Sequence, residues 1–125
     1  MLTIGVVVLG VADVRRAAEF WRAALGYELR DDGFGGWATV LMPPGGSGPK
    51  IALQRSQTRP PEYPRLHLDL HVADAAGQAA EAARLMSLGA ERVQWDSYPD
   101  DPDFVVLADP DGNHFCIVDL SHDHA

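Results

Sequence analysis

The stretch Arg65-Leu66-His67-Leu68-Asp69-Leu70-His71-Val72 alternates ionisable with apolar side chains. Successive side chains of a β-strand point to opposite faces, so this spacing predicts a strand with the leucines and Val72 on one face. Arg65, His67, Asp69 and His71 then share the other face, turned to a concave, partly shielded surface. Two imidazoles and a carboxylate held there need partners, because a buried polar group without one is costly. One reading is chemical. A histidine serves as the proton-transfer base while Asp69 fixes its tautomer, which makes His67, Asp69 and His71 the candidate catalytic residues. The other is structural: Asp69 orients a histidine, Arg65 screens the pair, or the face is simply wet.

A metal asks for three or four His, Asp, Glu or Cys donors converging from different strands. His114 and Cys116 share a strand face by alternation and are the candidates to stand opposite His67. The first strand of the chain, Ile4-Gly5-Val6-Val7-Val8-Leu9, offers no donor, and Gln54 is a poor ligand. The donors amount to half a site. Cys116 on an apolar strand reads as a small hydrophobe, with nothing nearby in sequence to activate a thiol. Candidate ligand-binding residues are Trp37, Gln54, Arg65, Trp95, His114 and Cys116, with Tyr98 and Phe104 adding aromatic surface; Trp21 is helix core. Gly45-Gly46-Ser47-Gly48 sits between prolines and leads into a strand, which makes it a hairpin loop rather than a phosphate cradle.

The elements that position these groups come twice. Val11-Ala12-Asp13 recurs as Val72-Ala73-Asp74, each time closing an apolar run and opening a helical one on an Asp N-cap. The first helix runs from about Val14 to Leu25, with Val14, Ala17, Ala18, Trp21 and Leu25 inward and a stop at Leu25-Gly26. The second runs from Ala75 to Leu88, with Ala79, Ala82, Ala83 and Met86 inward and a stop at Leu88-Gly89. Val40-Leu41 before Pro43-Pro44-Gly45-Gly46 corresponds to Val106-Leu107 before Asp109-Pro110-Asp111-Gly112, and short strands follow at Ile51 to Gln54 and Phe115 to Val118. The expected fold class is α+β: two tandem βαβββ modules forming a curved, cup-shaped mixed sheet with helices on its outer face. Module one covers about 1–55, the polar segment 56–64 with Pro60, Pro61 and Pro64 is a linker, and module two covers about 65–120, within one domain spanning 1–125. The tail His122-Asp123-His124 is expected outside the fold.

The 125 residues, 46% of them hydrophobic, suit one domain with a core. No segment reads as a membrane span or signal peptide. A single cysteine makes no internal disulfide, which suits a reducing, cytoplasmic setting. A formal charge of −8 repels phosphate backbones, so nucleic acid is not an expected partner, and the same field favours a cationic ligand.

Asp13 through Phe20-Trp21 to Leu25-Gly26, together with the final Ala108-Asp109-Pro110-Asp111-Gly112-Asn113-His114-Phe115-Cys116, resembles the vicinal oxygen chelate superfamily of glyoxalases, bleomycin-resistance proteins and extradiol dioxygenases, and most of all its glyoxalase-like subgroup. The resemblance covers nearly the whole chain. It implies paired βαβββ modules, homodimers, and in catalytic members a divalent metal held by one first-strand and one last-strand ligand from each module. His67, seven residues before Asp74, matches one such position and is the candidate metal ligand; Val6 stands at its module-one equivalent. Cys116 matches a last-strand glutamate, with Gln54 near the first-module equivalent. The expected function is a protein that binds a small cationic or aromatic molecule in its cup, as a homodimer, without the full metal site and with no cofactor. The alternative is a lyase, isomerase or dioxygenase that uses a divalent metal or acid–base catalysis.

Overall fold

Asp13 and Asp74 each start a helix, and their capping bonds explain why. Each is in extended backbone, and its carboxylate accepts a first-turn N–H, from Arg16 at 3.1 Å and from Gly77 at 2.7 Å. The structure, a computed structural model, describes residues 1–30 and 38–123. The chain forms two compact units, Met1–Arg59 and Pro60–Ala125, divided within the proline-rich stretch. Both are α+β with a strand-helix-strand-strand-strand order.

Module one consists of β1 (Val6–Val11), α1 (Val14–Leu25), β2 (Glu28–Arg30), β3 (Thr39–Met42) and β4 (Lys50–Arg55). Its sheet has the order β1-β4-β3-β2, parallel between β1 and β4 and antiparallel elsewhere. Helix α1 buries Ala17, Ala18, Phe20 and Trp21, with the two rings edge to face at 5.2 Å. It stops at Gly26, whose φ of 67° is open to glycine at little cost.

Module two repeats the plan with β5 (Leu68–Val72), α2 (Ala75–Ser87), β6 (Glu91–Arg92), β7 (Phe104–Ala108) and β8 (His114–Asp119), in the order β5-β8-β7-β6. The repetition extends to single hydrogen bonds: Ser56 N–H donates to the Val11 carbonyl at 2.8 Å, and Leu120 N–H to the Val72 carbonyl at 3.0 Å.

Three expectations need correction. Helix α2 buries Ala82 and Leu85, while Ala79, Ala83 and Met86 are exposed. Alanine lies on most sides of this helix, so the apolar pattern does not choose a face. Gln78 marks the one taken: its Nε2 donates to the carbonyls of Ile117 at 2.9 Å and Asp103 at 3.0 Å, tying the helix to β8 and to the lead-in of β7. The second correction concerns β5, which begins only at Leu68, so Arg65, Leu66 and His67 precede it and Leu66 is exposed. The third concerns the tail, where His122 Nε2 lies 3.1 Å from Asp101 Oδ2 and is held to the module; His124 is outside the described residues.

The turn between β7 and β8 is built on a buried carboxylate. Asp109 is 3% exposed, and its Oδ1 accepts the N–H groups of Asp111 at 2.9 Å and Asn113 at 2.8 Å. Its own N–H donates to the Asn113 carbonyl at 2.9 Å. No described helix is long and apolar enough to cross a membrane.

Replacing Gln78 by alanine leaves two carbonyls without their donor, and should cost about 2 kcal/mol of stability. The expected readout is a lower urea midpoint with an unchanged slope; an unchanged midpoint would show that α2 docks without this side chain.

Candidate functional site

Strand pairing places the chemistry. In module two, β5 runs parallel to β8 with Asp69 opposite Cys116, and β7 runs antiparallel to β8 with Val106 opposite Cys116. Asp69, Cys116 and Val106 thus form a row across three strands, all three on the wall of a cavity of about 480 Å³. His67 and His114 line the same cavity, each two residues ahead of a member of that row.

His67 Nε2 lies 3.0 Å from Asp69 Oδ1. A carboxylate only accepts, so against it Nε2 carries the hydrogen and Nδ1 is left as the basic nitrogen. Both side chains are about half exposed. Cys116 is buried, and its thiol is pushed up to about 12, first by burial and then by the neighbouring Asp69 and Asp103 carboxylates. One donor atom from each of His67, Asp69 and Cys116 falls within 4.8 Å of the others, the one such His/Cys/Asp/Glu group among the described residues.

Aromatic side chains wall the cavity. The Trp95 ring meets His114 edge-on, centroids 5.9 Å apart, and Tyr63 packs against Trp95 at 5.5 Å. The Tyr63 hydroxyl donates to Asp96 Oδ2 at 2.5 Å; this bond holds Asp96 below and Tyr63 above its ordinary range. Phe104 lines the cavity and stacks on Tyr98, whose hydroxyl accepts the Val106 N–H at 2.8 Å. His114 Nδ1 is buried and has no hydrogen-bond partner.

His67, Asp69, Trp95, His114 and Cys116 therefore come together, as the alternation and the shared strand of His114 and Cys116 suggested. Arg65 and His71 do not: both are exposed and neither lines the cavity. His71 sits opposite Val118, one row beyond Asp69. Trp37 lies outside the described residues. Gln54 is paired with Gly10, which makes it the counterpart of Val118 rather than of Cys116. The residue equivalent to Cys116 is Ala52, opposite Val8 as Cys116 is opposite Asp69. Module one thus carries Val6, Val8 and Ala52 where module two carries His67, Asp69 and Cys116. Sequence reasoning missed Tyr63, Pro64, Ser97 and Asp103. The first two fell in the stretch read as a linker, and no local pattern marks the others.

The sequence pattern of the glyoxalase-like domain family matches residues 6–118. The chain belongs to the glyoxalase-like domain family, within the vicinal oxygen chelate superfamily. No curated protein matches its sequence. Among solved structures it is similar to a glyoxalase-related enzyme from Fulvimarina pelagi, with 19% identity, TM-score 0.71, and 97% of this chain and 90% of that one covered. A glyoxalase/bleomycin resistance protein/dioxygenase family enzyme from Burkholderia phytofirmans shares 16% identity at TM-score 0.74, over 95% and 99% of the two chains. The fosfomycin resistance protein FosX from Listeria monocytogenes shares 14% at TM-score 0.72, over 94% and 91%. A variant of FosX has been solved with Mn(II) and a dihydroxypropylphosphonic acid. At these identities the likeness establishes the fold.

The raised thiol of this glyoxalase-like chain gives a pH prediction. Folding favours the neutral thiol, so its contribution is complete below the unfolded value of about 8.5 and is lost as pH climbs toward the folded one. The urea midpoint should fall between about pH 8 and about pH 11, and the fall should be smaller in Cys116→Ala. At about pH 8, alkylation by iodoacetamide should be roughly a thousandfold slower in the native protein than in urea. Comparable rates would refute a buried neutral thiol.

Proposed function

We propose that the protein binds a small molecule with an aromatic or apolar body and a cationic group, held in the module-two cavity. The observation that carries this reading is that the two kinds of surface meet in one cavity. Trp95, Phe104, Val106 and Val118 supply apolar and aromatic wall, and the Asp69 and Asp103 carboxylates line the same space. A cation near an aromatic face gains from the ring quadrupole, and a carboxylate partner adds a charge-assisted hydrogen bond. The net charge of −8 draws the same class of ligand. The phosphonate bound to the FosX variant has the opposite sign and suits these carboxylates poorly.

The superfamily's metal sphere takes donors from both modules, yet Val6 and Ala52 stand at the module-one positions and have none to give. The residues present do not fit that sphere, so the reading rests on binding, as in a resistance or sequestration protein. A reducing cytoplasm and a homodimer complete the proposed setting.

A second reading is supported by the His67–Asp69 contact at 3.0 Å. In it His67 Nδ1 takes a proton from a bound substrate, and Asp69 steadies the imidazolium that forms. This is acid–base catalysis of the lyase or isomerase kind.

A panel of aromatic amines and shape-matched aromatic carboxylates, followed by thermal shift and tryptophan fluorescence, separates the possibilities. The amines should raise the melting temperature and the carboxylates should not. Trp95→Ala should weaken amine binding by about tenfold, roughly 1–2 kcal/mol. Preference for carboxylates would overturn the reading. Turnover of a bound amine that His67→Ala abolishes would establish the second one.

A further inference from the structure

We propose that Tyr63 is a positioning residue of the module-two cavity: clamped to Asp96, it holds the Trp95 indole in place as the aromatic wall. Trp95 needs such a hold because it lies in the connection between β6 and β7, residues 93–103, outside the ladder. That connection is tied to the sheet at Val106 from both sides: Val93 N–H donates to the Val106 carbonyl at 3.1 Å, and the Tyr98 hydroxyl accepts the Val106 N–H at 2.8 Å. Between these anchors the Trp95 N–H donates to the Val93 carbonyl at 3.0 Å. This bond closes a turn and leaves both side-chain torsions of the indole unset.

Ring contacts set them instead. The indole meets His114 edge-on and packs against Tyr63 with centroids 5.5 Å apart. Tyr63 grips two consecutive residues, Trp95 by its ring and Asp96 Oδ2 by its hydroxyl. The other carboxylate oxygen accepts the Ser97 hydroxyl at 3.0 Å, so Asp96 is held on both sides. Tyr63 can act as a clamp because its own segment is stiff. Pro60, Pro61 and Pro64 fix φ at three nearby positions, and Pro60 sits tightly on Gly112, where a Cβ would fall 2.8 Å from its Cγ. A wall ordered in advance spares the ligand the entropy of arranging it. What the wall grips rests on the aromatic-body reading above; the packing itself does not.

The test uses the full chain and two readouts. Acrylamide quenching of Trp95, taken as the difference between each protein and its Trp95→Phe form, needs no ligand. Tyr63→Ala should make Trp95 severalfold easier to quench, and Asp96→Ala should do the same more weakly, whereas Asp96→Asn, which keeps an acceptor oxygen, should restore the wild-type value. Phenethylamine titration is the second readout. Tyr63→Ala should weaken binding by about tenfold, as Trp95→Ala does, and on top of Trp95→Ala it should add less than about twofold, because both act through one ring. Unchanged quenching in Tyr63→Ala, or full additivity of the two losses, would overturn the proposal. If phenethylamine binds to none of these proteins, the ligand reading fails and quenching alone decides the clamp. Tyr63 is half-exposed, with 51% of its surface open; should Tyr63→Ala nevertheless lose the folded circular dichroism spectrum, the two Asp96 variants decide it.

Discussion

The parallel pairing of β5 with β8 sets everything else in the cavity. Parallel neighbours cannot be joined by a tight turn, so the chain must travel through α2, β6 and β7 before β8 can lie beside β5. That detour brings Asp69, near the start of the module, opposite Cys116, near its end. It also supplies the aromatic wall, since Trp95 lies on the path between β6 and β7. The polar groups are packed together because the sheet allows one register, and the helix anchored by Gln78 covers the module from one side.

The two modules show how little of such a frame is tied to its chemistry. Caps, parallel pairing and even the closing hydrogen bonds to Val11 and Val72 are shared. The row Val8, Ala52 and Val40 in module one is apolar, and the row Asp69, Cys116 and Val106 in module two is not. Backbone hydrogen bonding and helix packing are common to both sheets, and the two rows differ on that shared frame even though Val40 and Ala52 in one and Val106 and Cys116 in the other are buried.

What could be read from the sequence was local. Asp13 and Asp74 as caps, Gly26 as a stop and the Asp109 turn depend on residues a few positions apart, and the period-2 run after Arg65 fixes which groups share a face. Membership of the glyoxalase-like family was legible for the same reason. Contacts set by pairing between distant strands were not. The alignment of Gln54 with Cys116 failed because the repeat distance differs between elements, and only the ladder shows that Ala52 is the true counterpart. The face of α2 was misread because alanine gives no contrast. Tyr63 was hidden in a proline-rich stretch whose packing against Trp95 has no signature in its own neighbourhood.

The Asp109 turn carries a meaning for the history of such a chain. Its carboxylate clasps a loop of fixed length, and that length decides which side chains of β8 look inward. One residue more or less would trade Cys116 and His114 for Phe115 and Ile117 on the cavity wall. A loop of this kind acts as a gauge. Substitutions along the cavity can change its ligand step by step, whereas an insertion in the gauge would exchange site and core at a stroke.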